Sequence, residues 1–179
     1  MGAANHPAPV LHTERLILRG FVAEDFAAHK AILDKPDVYR HLGNQPETHE
    51  NLWRRTVSSV GQWIVMGFGG WMVTLKADGR VIGNVGLFDG QRQLAAGFDG
   101  QPEMGWIFDP DMHGQGLARE ACDAVLEWAD ANLAREIWAI IAPGNAPSLK
   151  LADRLGFEQV ETNQYHDEPI VVLKRTFPR

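Results

Sequence analysis

The stretch that decides the fold runs Glu103-Met104-Gly105-Trp106-Ile107-Phe108, then Asp109-Pro110-Asp111-Met112, then His113-Gly114-Gln115-Gly116-Leu117-Ala118. Its first six residues read as a strand, and the residues from about Gln115 to Asn132 have the apolar spacing of an amphipathic helix. Between them lies a turn with two glycines. Glycine reaches backbone conformations closed to other residues, so successive amide N–H groups can converge on one anion with no side chain in the way. The unpaired N–H groups and positive dipole end of a helix start reinforce this, which makes the junction a natural diphosphate cradle. A Gly-x-Gly pair in isolation is ordinarily just a tight strand-to-helix connection, so its surroundings must carry the reading. The turn is neither Gly-x-Gly-x-x-Gly nor followed by Gly-Lys-Ser/Thr, so dinucleotide and nucleoside-triphosphate loops match it poorly.

Upstream of the junction, strands over Trp71–Lys76 and Arg80–Phe88 flank Ala77-Asp78-Gly79, whose Asp-Gly pair supplies the positive φ of a tight hairpin. Leu52, Trp53, Val57, Val60 and Ile64 predict a helix from Thr48 to Val65, starting near Pro46 and broken at Gly67-Phe68-Gly69-Gly70. An earlier helix carries Phe21, Phe26, Ile32 and Leu33 and stops before Pro36. Thr13–Arg19 reads as the opening strand, after a flexible start over residues 1–10, and Gln91–Gln101 reads as a loop. Downstream come a strand over Glu136–Ala142 and a helix over Ala146–Leu155 capped by Gly156. Phe157–Tyr165 and Ile170–Phe177 form a last antiparallel pair. Neither a repeat nor a linker divides the chain, and residues 1–179 are expected to form one domain of the α/β (α+β) class.

A net charge of -6 offers no basic footprint for nucleic acid and suits cationic or amine partners instead. The one cysteine, Cys122, has no partner for an internal disulfide and no metal-ligand cluster around it, so no metal is expected. No signal-peptide pattern and no membrane-length apolar run occurs, so a soluble, cytoplasmic protein is expected.

Residues Glu103 to Ala118 resemble the signature with which GNAT acetyltransferases bind the pyrophosphate of coenzyme A. Thr13-Glu14-Arg15-Leu16-Ile17-Leu18-Arg19 is similar to the opening strand of the branch containing ribosomal-protein N-terminal acetyltransferases. Asn145-Ala146-Pro147-Ser148 with Leu155-Gly156-Phe157 resembles that branch's later motif, so the resemblance covers nearly the whole chain. It implies the GNAT fold, a mixed, mostly antiparallel sheet of about seven strands with about four helices, splayed between the fourth and fifth strands. It also implies acetyl-coenzyme A as cosubstrate, with Gly114, Gln115, Gly116, Leu117 and Ala118 in the cradle and pantetheine beside Ile107 and Phe108. His113 stands where the family usually has Gln or Arg.

The acceptor implied is a primary amine, on a protein N-terminus or a small molecule, and the resemblance leaves room for a homodimer. An amine must be neutral to attack, and its reference pKa is about 10.4 for lysine and about 7.7–8.0 for an α-amine, so a base is needed. By resemblance Glu103 is the candidate base, acting through water; a solvated or arginine-paired strand-end glutamate is the alternative. A backbone N–H near Ile107, freed by a bulge, would meet the oxyanion. The family's usual tyrosine for the leaving thiolate is replaced by Ala152, which leaves Ser148 to bond the coenzyme sulfur, or simply to stand in a helix first turn. Asn145 either contacts pantetheine or caps that helix. Tyr165 and His166, near the last hairpin tip, are candidate acceptor residues or a solvated turn. A noncatalytic acyl-coenzyme A module and a nucleotide-binding protein are the competing classes.

Overall fold

The computed structural model describes residues 6–95, 97–133 and 135–177. Its elements are β1 Leu11–His12, β2 Leu16–Arg19, α1 Phe26–Leu33, α2 Pro36–Tyr39, α3 His49–Met66, β3 Gly70–Leu75, β4 Val81–Phe88 and β5 Glu103–Phe108. These are followed by α4 Leu117–Asn132, β6 Ile137–Ile141, α5 Ala146–Arg154, β7 Glu158–Tyr165 and β8 Glu168–Arg175. The strands form one eight-stranded sheet in the order β1-β2-β3-β4-β5-β6-β8-β7. Every neighbouring pair is antiparallel except β5 with β6.

Local chemistry explains most boundaries. Thr48 caps α3 by accepting the Asn51 N–H, and Gly67, at φ 76°, ends it in the left-handed conformation. His166 and Asp167 both take positive φ, which is the two-residue turn that matches the twist of a β7–β8 hairpin. The strand expected over Thr13–Arg19 is interrupted: the chain bends at Thr13–Arg15, where side chains and backbone bond α4 instead. Pro36 opens a helix as well as ending one, because its fixed φ suits a first helical position, and α2 is the result. Residues 1–5 of the expected flexible start lie outside the described residues. From His6 onward the start is packed: Ala8 is buried and the Pro9 carbonyl accepts the Trp71 indole N–H.

The sheet separates two cores. Met104 and Phe108 of β5 join the main cluster with Leu117, Ala121, Cys122 and Val125 of α4 and Ala152 of α5. Cys122 is fully buried there, and burial pushes its thiol far up, so it packs as a small apolar group. On the opposite face, Ile107 of β5 meets Phe26, Ile32 and Leu33 of α1 and Leu52 of α3. The loop between β4 and β5 covers the rest of that face, with Phe98 packed on Trp138, Ile170 and Val172.

Candidate functional site

β5 and β6 run parallel and share a single pairing, Glu103 with Trp138, beyond which they separate. At its C-terminal end each strand hands over to a helix start: Phe108 leads to α4, and Ile141 to α5. Ligands of α/β sheets bind at such carboxyl ends, where helix N-termini face a gap between strands.

Gly114 and Gly116 have φ 75° and 76°, so the turn before α4 relies on conformations that other residues reach only under strain. Among the described residues, no protein acceptor meets the backbone N–H groups of Gly114 to Arg119, six in succession. His113, Gly114, Gln115 and Gly116 are exposed, and a Cβ placed on Gly114 would touch nothing within 4 Å. The His113 N–H is already taken by the Pro110 carbonyl. An open run of unused donors at a helix start, with nothing within 4 Å of the Cβ position at Gly114 and only Arg15 Nη2, at 3.6 Å, near that of Gly116, fits a diphosphate.

The splay supplies further donors. The Asp109 N–H bonds the Ile82 carbonyl, and the β4–β5 register runs unshifted from Phe108–Gly83 to Glu103–Phe88. Alternation along an antiparallel ladder therefore turns the Ile107 N–H toward β4 and aims those of Trp106 and Phe108 into the gap beside β6. The bulge expected near Ile107 is absent; the separation of β5 from β6 frees donors without one. The side chains divide by face: Ile107 packs under α1, whereas Phe108 is buried against the α4 side.

Glu103 sits at the closed end of the splay and is only 3% exposed, so the solvated reading does not hold. Arg92, from the β4–β5 loop, donates Nε–H to its Oε2 at 2.6 Å. The same guanidinium lies 4.5 Å from the Tyr165 ring centre. Burial raises the Glu103 carboxyl above its ordinary value, with Arg92 opposing that rise. Glu103, Gly105 and Ile107 share the sheet face under α1, beside Phe88, Gly86 and Asn84 of β4, and His29 of α1 bonds the Asn84 amide oxygen at 2.9 Å. Gly86 and Gly105 stand opposite each other, so between Glu103 and Ile107 no β5 side chain rises from this face.

At the other helix start, Asn145 Oδ1 accepts the Ser148 N–H at 3.2 Å, a helix cap. Among the described residues the Ser148 hydroxyl has no hydrogen-bond partner and is partly exposed. His166 is exposed at the hairpin turn, its ring 4.1 Å from that of Tyr165. The structure thus joins Glu103 to Tyr165 through Arg92 and gathers residues 113–118 at one turn and the first turn of α4. Asn145 and Ser148 begin the neighbouring helix.

Sequence reading missed the groups that hold this loop. Lys35 bonds Asp109 at 2.6 Å and Asp111 at 2.7 Å, and Arg15 bonds both Gln115 and Glu120. Arg15 lies inside a motif already noted, but nothing in its spacing names a partner some hundred residues away. Among the described residues no cluster of metal-ligating side chains occurs, and no helix is long and apolar enough to cross a membrane.

Known proteins resemble this chain in sequence or in fold. An uncharacterised N-acetyltransferase, p20, from Bacillus licheniformis is 26% identical over 151 residues, covering 83% of this chain and 82% of its own. A GnaT-family acetyltransferase structure from Bordetella pertussis, named as a candidate, superposes with a TM-score of 0.85 at 30% identity, covering 94% of this chain and 100% of its own. The aminoglycoside acetyltransferase AAC(6')-Ib, solved with coenzyme A, shares the fold at a TM-score of 0.72 and 18% identity, covering 90% of this chain and 94% of its own. The sequence model of the acetyltransferase (GNAT) domain matches residues 15–158, a span that runs from Arg15 through the cradle and the splay to the start of β7. On that match and this geometry, the chain belongs to the GNAT acetyltransferase family.

Proposed function

We propose that the protein is a single-domain, cytoplasmic enzyme that moves the acetyl group of acetyl-coenzyme A to a primary amine by direct transfer in a ternary complex. The observation that carries this is the run of six N–H groups from Gly114 to Arg119 that have no acceptor among the described residues, opening beside the splay. The cradle holds the diphosphate, and pantetheine lies along β5 toward Trp106, Ile107 and Phe108. Acetyl-coenzyme A supplies an acetyl group activated as a thioester.

The amine nitrogen attacks the thioester carbon; the C–N bond forms as the C–S bond breaks. An N–H of Trp106 or Phe108 meets the developing oxyanion. Glu103 takes the amine proton through water, its raised carboxyl suiting a base at neutral pH better than an exposed glutamate. The Ser148 hydroxyl, which has no partner among the described residues, donates to the departing sulfur. Tyr165 and His166 border the acceptor side.

A protein α-amine is the acceptor favoured by the motifs at Thr13–Arg19 and Asn145–Phe157. Its reference pKa of about 7.7–8.0 asks less of a base than lysine does. A small amine is the second reading, favoured by the aromatic hollow where Phe26, His49 and Trp53 pack edge to face beside α1. Calorimetry with acetyl-coenzyme A, followed by mass spectrometry of peptide and small-amine mixtures, tests both. Absent binding removes the cofactor reading. Binding with acetylation only of small amines removes the peptide acceptor, and binding without any acetylation leaves a noncatalytic acyl-coenzyme A module.

A further inference from the structure

We infer that Arg15 is a positioning residue for the cradle: by holding the Gln115 carbonyl it fixes the direction of the Gly116 N–H toward a bound diphosphate. The inference rests on the acyl-coenzyme A reading given above.

The contacts form a closed set. Arg15 Nη1 donates to the Gln115 carbonyl at 2.8 Å. Its Nε and Nη2 both reach Glu120 Oε2, at 2.7 and 2.6 Å. The other carboxylate oxygen, Oε1, accepts the Arg15 backbone N–H at 2.8 Å and the Thr13 hydroxyl at 2.5 Å. Glu120 is therefore anchored on two sides, and it holds the guanidinium so that Nη1 is left for the loop.

In a trans peptide the carbonyl and the following N–H point in opposite directions. With the Gln115 oxygen drawn to Arg15, the Gly116 N–H faces the other way, toward the open side of the turn. Gly116 is the residue at which this peptide could turn over, because glycine accepts positive and negative φ alike. A turned peptide would present a carbonyl oxygen to the diphosphate in place of a donor. The Arg15–Gln115 bond closes that alternative.

Charge alone does not account for the arrangement. Glu120 neutralises Arg15 at contact distance, so what Arg15 adds is the direction of a donor. A lysine keeps the charge but gathers its three N–H donors on one nitrogen, so it cannot reproduce the planar fork in which Nε and Nη2 hold Glu120 while Nη1 holds Gln115.

The test is calorimetric titration of coenzyme A into the wild type, Arg15→Met and Arg15→Lys, with 15N-glycine spectra of each. Loss of one positioning hydrogen bond predicts a Kd about tenfold higher in both variants. In the wild type, coenzyme A should shift the amide resonances of Gly114 and Gly116. In both variants the Gly114 shift should persist and the Gly116 shift should collapse. Wild-type affinity in Arg15→Met would overturn the inference, as would full affinity in Arg15→Lys, which would make charge the agent. Equal loss of both glycine shifts would also overturn it, because that marks general loop collapse. No binding by the wild type would remove the cofactor reading itself, whereas normal wild-type binding with unaffected variants removes only the role of Arg15.

Discussion

Arg92 donates Nε–H to Glu103 Oε2 at 2.6 Å while its guanidinium lies 4.5 Å from the centre of the Tyr165 ring. The candidate base is thus covered by a cation that also lies over the Tyr165 ring. Opposing influences set its proton affinity: burial, and to a smaller extent the Asp89 charge, raise the carboxyl, and Arg92 restrains that rise.

Removing Arg92 should therefore move Glu103 further upward. As a base, Glu103 works only when ionised, so the acidic limb of the pH profile of kcat/KM should shift to higher pH in Arg92→Gln. Arg92→Lys, which keeps the charge, should stay closer to the wild type. A limb unmoved in Arg92→Gln would take Glu103 out of the proton-transfer role. The measurement is the initial rate of thiol release with any accepted amine across the pH range.

The two cradle glycines give a second prediction. Alanine at Gly114 or Gly116 must sit near φ 75°, at about 1–2 kcal/mol each. An added Cβ meets nothing within 4 Å at Gly114 and only Arg15 Nη2, at 3.6 Å, at Gly116, so both variants should fold. Their affinity for coenzyme A should fall while circular dichroism is unchanged. Gly114→Pro, whose ring forbids positive φ and removes a donor, should abolish binding. Calorimetry on the three variants orders these effects.

How much of this was legible in the sequence depended on the range of the interaction. Asp78-Gly79, Thr48 and Gly67 act on their immediate neighbours, and the elements they bound stand close to where the residue pattern put them. The strand Glu103–Phe108 matched to the residue because alternation and the following Asp-Pro turn are both local signals. The β1 strand was missed because two residues carry no period, and α2 because Pro36 reads as a stop as readily as a start. The bulge at Ile107 was a family expectation, whereas the freed donors come from the register of three strands. An arginine beside Glu103 was among the readings, but that it is Arg92, and that Lys35 meets Asp109 and Arg15 meets Glu120, was not legible: a side chain's choice among distant partners leaves no trace in spacing.

Glu120 provides a pH test of the clamp on the cradle. Burial alone would raise its carboxyl, but hydrogen bonds from Thr13 and Arg15 outweigh this and hold it below the ordinary 4.5. A carboxyl lowered on folding contributes stability above its unfolded pKa and loses that contribution as the pH falls through the lower folded value. Glu120→Gln should therefore be less stable than the wild type at pH 7 by about 1 kcal/mol. That corresponds to about 2–4 °C in Tm for a chain of this size. The difference should shrink as the pH drops below 4.5. Thermal melts of the pair at several pH values check it, and a difference that grows with acid would contradict the assignment.

Asn145 and Ser148 separate stability from catalysis at the start of α5. Asn145 Oδ1 accepts the Ser148 N–H, so Asn145→Ala removes a helix cap and should cost about 1 kcal/mol of stability. The Ser148 hydroxyl has no partner among the described residues, so Ser148→Ala removes no bond of the folded protein and should leave Tm within about a degree. If that hydroxyl donates to the leaving sulfur, its loss should lower kcat by about tenfold or more, with KM for acetyl-coenzyme A little changed, because the bond strengthens as negative charge gathers on sulfur. Ser148→Thr keeps a hydroxyl and should recover part of the rate. Paired melts and steady-state kinetics on the three variants decide the matter: unchanged kcat in Ser148→Ala would reduce Ser148 to a first-turn helix residue, and the thiolate would then have to leave with solvent as its proton source.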